Sequence, residues 1–210
     1  MNQHGGPSGK WMKSLPPVLQ TLSAQWDLSE VMPVKNMTWN YVAKAQSSRL
    51  GPVVIKICED HKGFQDELKA IKHFSGHGMV KLLHENQEHH ALLLEQLTPG
   101  DSLLDLQHLD DTEIIRAYGS VVKKLSSAPA VHDQDFPHMR QWLEALDRAD
   151  KAQFPRGMLN QVAQLKEKLL ATSKNEMLLH GDLHHDNILK SGNGWRDIAK
   201  SCVWGFLREI

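Results

Sequence analysis

Residues 178–189 read LLHGDLHHDNIL, a polar loop between two short apolar segments that the pattern predicts to be strands. Asp182 and Asn187 stand five positions apart in this loop, among three histidines. Transfer of a phosphoryl group from ATP to an alcohol needs such a pair. A carboxylate orients the attacking hydroxyl and accepts its proton, and an amide or carboxylate nearby holds a Mg²⁺ that bridges the phosphates. The stretch therefore indicates phosphoryl transfer as the candidate chemistry.

Three other interpretations of this loop must be weighed. A β-hairpin that turns at Gly181 would leave the polar side chains merely solvated. A metallophosphatase also uses a G-D-x-H element, but it needs further G-D-x-x-D and G-N-H blocks, which do not follow in this sequence. A zinc site could use His180, His184 and His185, although neither a cysteine nor a second spaced cluster completes it.

The composition is that of an ordinary globular chain of 210 residues, with 40% apolar and 23% charged residues. A net charge near −1 gives no electrostatic reason to expect nucleic acid or an anionic membrane as a partner. Cys58 and Cys202 are too few for a disulfide framework, and no apolar stretch approaches the roughly 20 residues that cross a bilayer. We therefore expect a cytoplasmic protein without a nucleic-acid or membrane partner.

Hydrophobic periodicity predicts a helix followed by a sheet. Apolar residues at helical spacing run from Leu15 to Trp26, with Ser14 as the expected N-cap. The period then changes to that of strands. The predicted strands are Val31–Val34, Trp39–Ala45, Val53–Cys58, Met79–His84 and His90–Glu95, with a helix at Lys62–Phe74 between the third and the fourth.

Lys56 is a single charge inside the apolar strand Val53–Cys58. Burial of an ammonium group without a partner is costly, so Lys56 either reaches solvent at an edge or meets an anion. Glu67 lies on the apolar face of the next helix and is the candidate partner. The pair resembles the lysine and helix glutamate that hold the α- and β-phosphates in kinases.

The second half of the chain is predicted to be mainly helical. Asp110 and Glu113 open a long helix, where acidic residues suit the positive end of the helix dipole. The other predicted helices are a short one at Asp101–Leu106 and two longer ones at His138–Asp150 and Gly157–Thr172.

Three segments resemble one family of small-molecule kinases. VVIKI at 53–57, DELKAIKHFSGHGMVKLL at 66–83 and HALLLEQLTPGDSL at 90–103 are similar to the aminoglycoside/hydroxyurea phosphotransferases, which are streptomycin-kinase-like enzymes. The resemblance runs from about Trp26 to Trp195, and its most specific piece is the 178–189 stretch.

The resemblance implies roles for the loop residues and for the ion pair. Asp182 would be the catalytic base and Asn187 a Mg²⁺ ligand, with His180 and His184 supporting the loop. Lys56 and its partner Glu67 would hold the phosphates of ATP.

The resemblance also implies how the nucleotide is held elsewhere. Thr38 and Asn40 stand where the family often has Ser/Thr-x-Asn over the phosphates, although an ordinary hairpin explains these two residues equally well. The hinge would hydrogen-bond adenine through backbone groups around Glu95 and Leu97. A G-x-G-x-x-G loop, expected of a protein kinase, does not occur there.

The family pattern ends after Trp195. The family continues roughly as G-W-x-A-I-D-P-K-G-x-x-G, whereas this chain reads GWRDIAKSCVWG from Gly194. Asp197 comes too early for the second metal-binding aspartate, which we expect to be missing. A frameshift is one explanation, because shifted codons can encode A-I-x-P-K-x-V-x-G. A genuinely divergent tail is the other.

These observations predict an α+β, protein-kinase-like two-lobe fold. Residues 1–97 form the antiparallel-sheet lobe, and 98–210 form a helical lobe that we expect to be incomplete after about residue 195. The implied function is ATP- and Mg²⁺-dependent phosphorylation of an alcohol group on a small molecule, an aminoglycoside such as streptomycin or hydroxyurea. A missing metal ligand predicts little activity. The rival is a non-catalytic remnant that binds a nucleotide or a partner.

Overall fold

A computed structural model describes residues 9–35, 37, 39–130, 136, 138–150, 153–172, 175–192, 194–198 and 203–207. The helices are α1 Gly9–Trp26, α2 His61–His73, α3 Asp111–Leu125, α4 Met139–Asp147 and α5 Met158–Thr172. The strands are β1 Leu28–Pro33, β2 Tyr41–Ser47, β3 Gly51–Ile57, β4 Leu82–Asn86, β5 Ala91–Glu95, β6 Pro99–Ser102, β7 Asn175–Leu179, β8 Ile188–Ser191, β9 Gly194–Asp197 and β10 Val203–Leu207.

The first five strands form one antiparallel sheet in the order β1-β2-β3-β5-β4. Alternate residues of β3 face α1, and Val53, Ile55 and Ile57 are almost completely buried there. Leu22 and Trp26 of α1 pack into the same cluster. The other face of the sheet covers α2 and part of α3 and β8 in a second cluster. The predicted sheet and its order along the chain are therefore present.

Helix α1 begins at Gly9, so the prediction that Ser14 caps it is wrong. The Ser14 hydroxyl instead donates to the Trp11 carbonyl, one turn back inside the helix. Pro16 and Pro17 also lie within the helix and each removes one N–H donor. They occur in its exposed amino-terminal half, where water can satisfy the carbonyl groups that lose a partner.

The short helix predicted at Asp101–Leu106 is not formed. Ser102 ends β6, which pairs with β8, and a turn follows. The Ser102 hydroxyl donates to the Asp105 carboxylate at 2.7 Å and accepts the Asp105 N–H at 3.2 Å. Serine and aspartate side chains compete with helical hydrogen bonds in this way, which explains the turn.

Strands β7 and β8 bracket the 180–187 loop but belong to different sheets. β7 pairs with β10, whereas β8 lies between β6 and β9. The loop therefore connects two sheets, and the hairpin interpretation of it is wrong.

Helices α3, α4 and α5 differ in how deeply they pack. The Asp110 carboxylate and the Glu113 side chain form a reciprocal capping box at the start of α3, which buries Ala117, Val121 and Leu125. The described residues of α4 and α5 include none that is buried. Among all described residues, no helix is long and apolar enough to cross a membrane.

We predict that Leu22→Ala destabilises the fold by about 2–5 kcal/mol, because Leu22 is completely buried between α1 and the sheet. Urea unfolding measures the change in the free energy of unfolding. The matched control is Leu50→Ala, since Leu50 is 43% exposed and should cost less than about 0.5 kcal/mol. Equal effects of the two substitutions would contradict the packing described for α1.

Candidate active site

Asp182 and Asn187 are brought together by the fold of their own loop. Gly181 adopts a φ of 76°, which favours glycine and lets the chain turn sharply after β7. The Asn187 side-chain amide then donates to the Asp182 carbonyl at 2.7 Å and lies 3.5 Å from its carboxylate. The Asn187 N–H donates to the His184 carbonyl at 2.9 Å. Asn187 thus holds the loop closed from its far end.

The two residues have opposite exposure. Asp182 keeps 46% of its side chain exposed, with the His184 imidazole 3.6 Å from its carboxylate. Asn187 is completely buried, and its Oδ1 has no hydrogen-bond partner among the described residues. Asp182 can therefore meet a molecule that arrives from solvent, whereas the free oxygen of Asn187 faces into the protein.

Asp197, at the end of β9, is the residue that the sequence analysis did not expect here. It is completely buried, and its Oδ2 lies 2.9 Å from Nε2 of the buried His180. The His180 Nδ1 accepts the Asp182 N–H at 3.3 Å, so the ring proton belongs on Nε2, facing Asp197. Burial raises the pKa of the Asp197 carboxyl; His180 opposes this, and the charge of Asp182 adds to it.

The register of the β8–β9 hairpin explains why Asp197 reaches the site. Ser191 pairs with Gly194, which leaves a two-residue connection, and Ile188 consequently pairs with Asp197. The sequence signal for this was Gly192-Asn193, a dipeptide typical of two-residue hairpins. Asp197 thus lies opposite the residue that follows Asn187. The Ile198 N–H also donates to the Asn187 carbonyl at 2.9 Å.

The buried oxygens of this cluster fit a divalent cation. Asn187 Oδ1 and Asp197 Oδ1 are buried without a hydrogen-bond partner in the described part of the chain, and Asp197 Oδ2 has only His180 beside it. A buried polar atom without a partner costs about 1–3 kcal/mol. Carboxylate and amide oxygens are ligands that Mg²⁺ accepts, so a bound Mg²⁺ would satisfy them.

The ion pair predicted between Lys56 and Glu67 is present. Lys56 Nζ lies 2.5 Å from Glu67 Oε1, and the two side chains are only 9% and 2% exposed. The Asp60 carboxylate fixes the start of α2, because it accepts the Gly63 N–H at 2.6 Å. Cys58 lies beside the pair, with its Sγ 3.9 Å from Glu67 Oε2. Burial, with the nearby Glu67 charge, raises the pKa of the Cys58 thiol to about 12.

The hinge after β5 offers selected backbone groups. The Glu95 N–H donates to the Lys81 carbonyl and the Gln96 N–H to the Pro52 carbonyl. Proline has no N–H, so Pro52 returns no hydrogen bond to the Gln96 carbonyl. The Leu97 N–H makes no hydrogen bond to any other described residue. The Gln96 carbonyl and the Leu97 N–H can thus bind a ligand, whereas the Glu95 N–H is already bonded.

The Glu95 side chain is occupied elsewhere. Its carboxylate pairs with Arg196 of β9 and accepts the Lys81 N–H at 2.8 Å. Asn40 is half-buried immediately before β2, and Thr38 lies outside the described residues.

The zinc interpretation finds no support in the geometry. Among the described residues, no group of three or more histidine, cysteine, aspartate or glutamate side chains could hold a metal ion. His180 is buried against Asp197, whereas His184 faces Asp182 at the surface.

The fold and this cluster define a protein-kinase-like α+β protein. Choline kinase LicA from Streptococcus pneumoniae has a similar fold, with a TM-score of 0.62 at 16% identity over 92% of this chain and 70% of that one. A thermostable mutant of aminoglycoside phosphotransferase APH(4)-Ia, in a ternary complex with AMP-PNP and hygromycin B, matches with a TM-score of 0.63 at 13% identity. That match covers 90% of this chain and 73% of the other.

The particular family follows from the sequence. The model of the aminoglycoside/hydroxyurea antibiotic resistance kinases matches residues 25–206, and the chain belongs to that family. Streptomycin 6-kinase of Streptomyces griseus is 23% identical over 199 residues, which are 90% of this chain and 62% of that protein. Its counterpart in Streptomyces glaucescens is 23% identical over 85% of this chain and 59% of its own length. The chain thus spans about three fifths of these relatives.

We predict that Cys58 resists thiol reagents in the folded protein. A pKa of about 12 leaves roughly one thiol in ten thousand ionised at pH 8, and only the thiolate reacts. In a Cys202→Ser background, Ellman's reagent should modify Cys58 at least about 1,000-fold more slowly in buffer than in 8 M urea.

The matched control adds Ser48→Cys, because Ser48 is exposed in the turn before β3. That thiol should react within minutes in buffer. Rapid stoichiometric labelling of Cys58 in the folded protein would contradict its burial beside the ion pair.

Proposed function

We propose that this chain transfers the γ-phosphoryl group of ATP to a hydroxyl group of a small molecule. The observation that carries the proposal is the convergence of exposed Asp182 with the buried oxygens of Asn187 and Asp197. Family membership supports it. The use of ATP as donor assigns the reaction to the cytoplasm.

Each residue in the proposal has one task. Asp182 orients the acceptor hydroxyl and takes its proton, since it is the exposed carboxylate of the cluster. Asn187 and Asp197 hold Mg²⁺, and Lys56, fixed by Glu67, contacts the α- and β-phosphates. A Mg²⁺ bound there supplies positive charge against the phosphate oxygens. Asp197 thus takes the ligand position that the sequence analysis expected to be missing, and we propose an active enzyme.

The proposed nucleotide contacts come from the hinge and the segment before β2. Adenine presents an amino group and a ring nitrogen at its edge, which suit one hinge carbonyl, that of Glu95 or of Gln96, and the Leu97 N–H. Asn40, with Thr38, is proposed to contact the phosphates. Glu95 is proposed to act through its carbonyl group, because its N–H and its carboxylate are already bonded.

The proposed acceptor is an aminoglycoside such as streptomycin, and hydroxyurea is the other candidate. The family description supports both choices, and the streptomycin 6-kinases support streptomycin. Asp182 and Asp186 are both about half exposed at the loop surface. Two carboxylates at the mouth of the site attract a cation, which favours a polycationic aminoglycoside over neutral hydroxyurea.

A non-catalytic nucleotide-binding role is the second candidate. The observation in its favour is the openness of α4 and α5, where Trp142 and Leu165 are 52% and 54% exposed. Neither helix has a buried residue within the described part of the chain, so neither contributes a closed wall for an acceptor there.

We predict that Asp182→Asn lowers kcat by about 10²–10⁴-fold, because the variant loses the base but keeps the shape of the side chain. ADP release with streptomycin or hydroxyurea measures turnover, and mass spectrometry identifies the phosphorylated acceptor. The affinity for Mg·ATP should change less than about threefold, since Asp182 is not a proposed metal ligand.

The matched control is Asp186→Asn, in the same loop with 44% of its side chain exposed, which should retain most of kcat and raise only the KM for a cationic acceptor. A wild-type chain that is stabilised by Mg·ATP but forms no phosphorylated product would favour the second candidate. Absence of both effects would exclude both functions.

A further inference from the structure

Three consecutive carbonyl groups of the 180–187 loop accept hydrogen bonds. The Asp182 and His184 carbonyls are bonded by Asn187, from within the loop. The Leu183 carbonyl, between them, accepts from the Tyr118 hydroxyl at 2.5 Å. Among the described residues, the Tyr118 hydroxyl is the side-chain donor that connects these three carbonyl groups to an element outside the loop.

Tyr118 belongs to a helix that is anchored in the core. It lies on α3 next to Ala117, and α3 is anchored by the buried Ala117, Val121 and Leu125. The ring also lies near that of His185, with centroids 6.4 Å apart. The phenol therefore reaches the loop from a helix that packs against the main core, and it contacts two loop residues.

The phenol is suited to donate at all ordinary pH values. Burial raises the pKa of Tyr118, and the negative charge of Asp197 raises it further. The titratable groups beside Tyr118 are His185 in the loop and Asp197 on β9.

We propose that Tyr118 is a positioning residue, which holds the Asp182 carboxylate in place through the backbone of the next residue. The expected effect on kcat rests on the proposed function, whereas the expected effect on the position of the loop does not. Leu183 immediately follows Asp182, so movement of the Leu183 carbonyl changes the backbone dihedral angles of Leu183 and shifts the neighbouring Cα atom that carries the Asp182 side chain. Asn187 closes the loop on itself, and Tyr118 sets where the closed loop lies relative to α3.

Tyr118→Phe removes the hydroxyl and keeps the ring. We expect kcat to fall about 10–100-fold, because displacement of a catalytic group by about 1 Å can cost that much. The KM for ATP should change less than about threefold, since no proposed nucleotide contact is lost. The backbone N–H of Asn187, which donates to the His184 carbonyl, should exchange its hydrogen faster in the variant.

The matched control is Tyr41→Phe, because the chain contains only these two tyrosines. Tyr41 is 6% exposed in the cluster between the sheet and α1, away from the loop. It should leave kcat and the exchange of residues 182–187 unchanged. Melting temperature is measured for both variants, so that a general loss of stability is recognised.

The outcomes separate the two proposals. If the wild type turns over, unchanged kcat and unchanged loop exchange in Tyr118→Phe would overturn the positioning role. A loss of kcat that Tyr41→Phe reproduces, or that follows the melting temperature, would overturn it as well. If the wild type forms no product, the proposed function fails. Loop exchange then decides the role of Tyr118 alone, with faster exchange supporting it and unchanged exchange overturning it.

Discussion

Two backbone hydrogen bonds of Asp197 hold the site together. Its N–H donates to the Gly78 carbonyl at 2.9 Å, and its carbonyl accepts the Val80 N–H at 2.8 Å. Gly78 and Val80 belong to the segment that follows α2, the helix that carries Glu67. The buried carboxylate and the Lys56–Glu67 pair are therefore attached to one continuous stretch of chain. The Arg196–Glu95 pair adds a second link, from β9 to the hinge.

The buried polar groups that form the site reduce the stability of the fold. The buried oxygens of Asn187 and Asp197 lack well-aligned partners, and a buried ion pair such as Lys56–Glu67 repays its desolvation only with good geometry. Apolar residues of similar volume would pack there at lower cost. Departures of this kind from the rules for a stable core are expected at functional sites, which is an argument for function that does not depend on any relative.

Much of the fold and of the candidate site could be predicted from the sequence, because the signals for them lie in short stretches of chain. An ammonium group inside an apolar strand needs an anion, and Glu67 was the acid on the facing side of the next helix. The 178–189 stretch combined a turn glycine with an acid and an amide at close spacing, so its loop was recognisable. The start of α1 was missed because Ser14 was taken as its N-cap, whereas the helix begins at Gly9 and contains Pro16 and Pro17.

Asp197 was missed for a different reason. Its position was judged by counting from a family pattern, whereas its place depends on the pairing of β8 with β9. A two-residue connection fixes that register, and a shift of one residue would turn Asp197 to the other face of the strand. The turn dipeptide was therefore more informative than the distance along the chain. The Tyr118 contact joins residues 65 positions apart, and no local pattern could have predicted it.

In the proposed site, Asp182 and Asp197 give one residue type two different tasks. Asp182 follows a glycine turn and keeps 46% of its side chain in solvent, where a hydroxyl can reach it. Asp197 is completely buried at the end of β9, where two backbone hydrogen bonds hold it against the segment after α2, and no acceptor can approach it. Environment rather than residue type thus separates the two tasks, as in other sites that use paired carboxylates. The backbone alone sets that difference, because the tight turn at Gly181 and the register of β9 decide which carboxylate meets water.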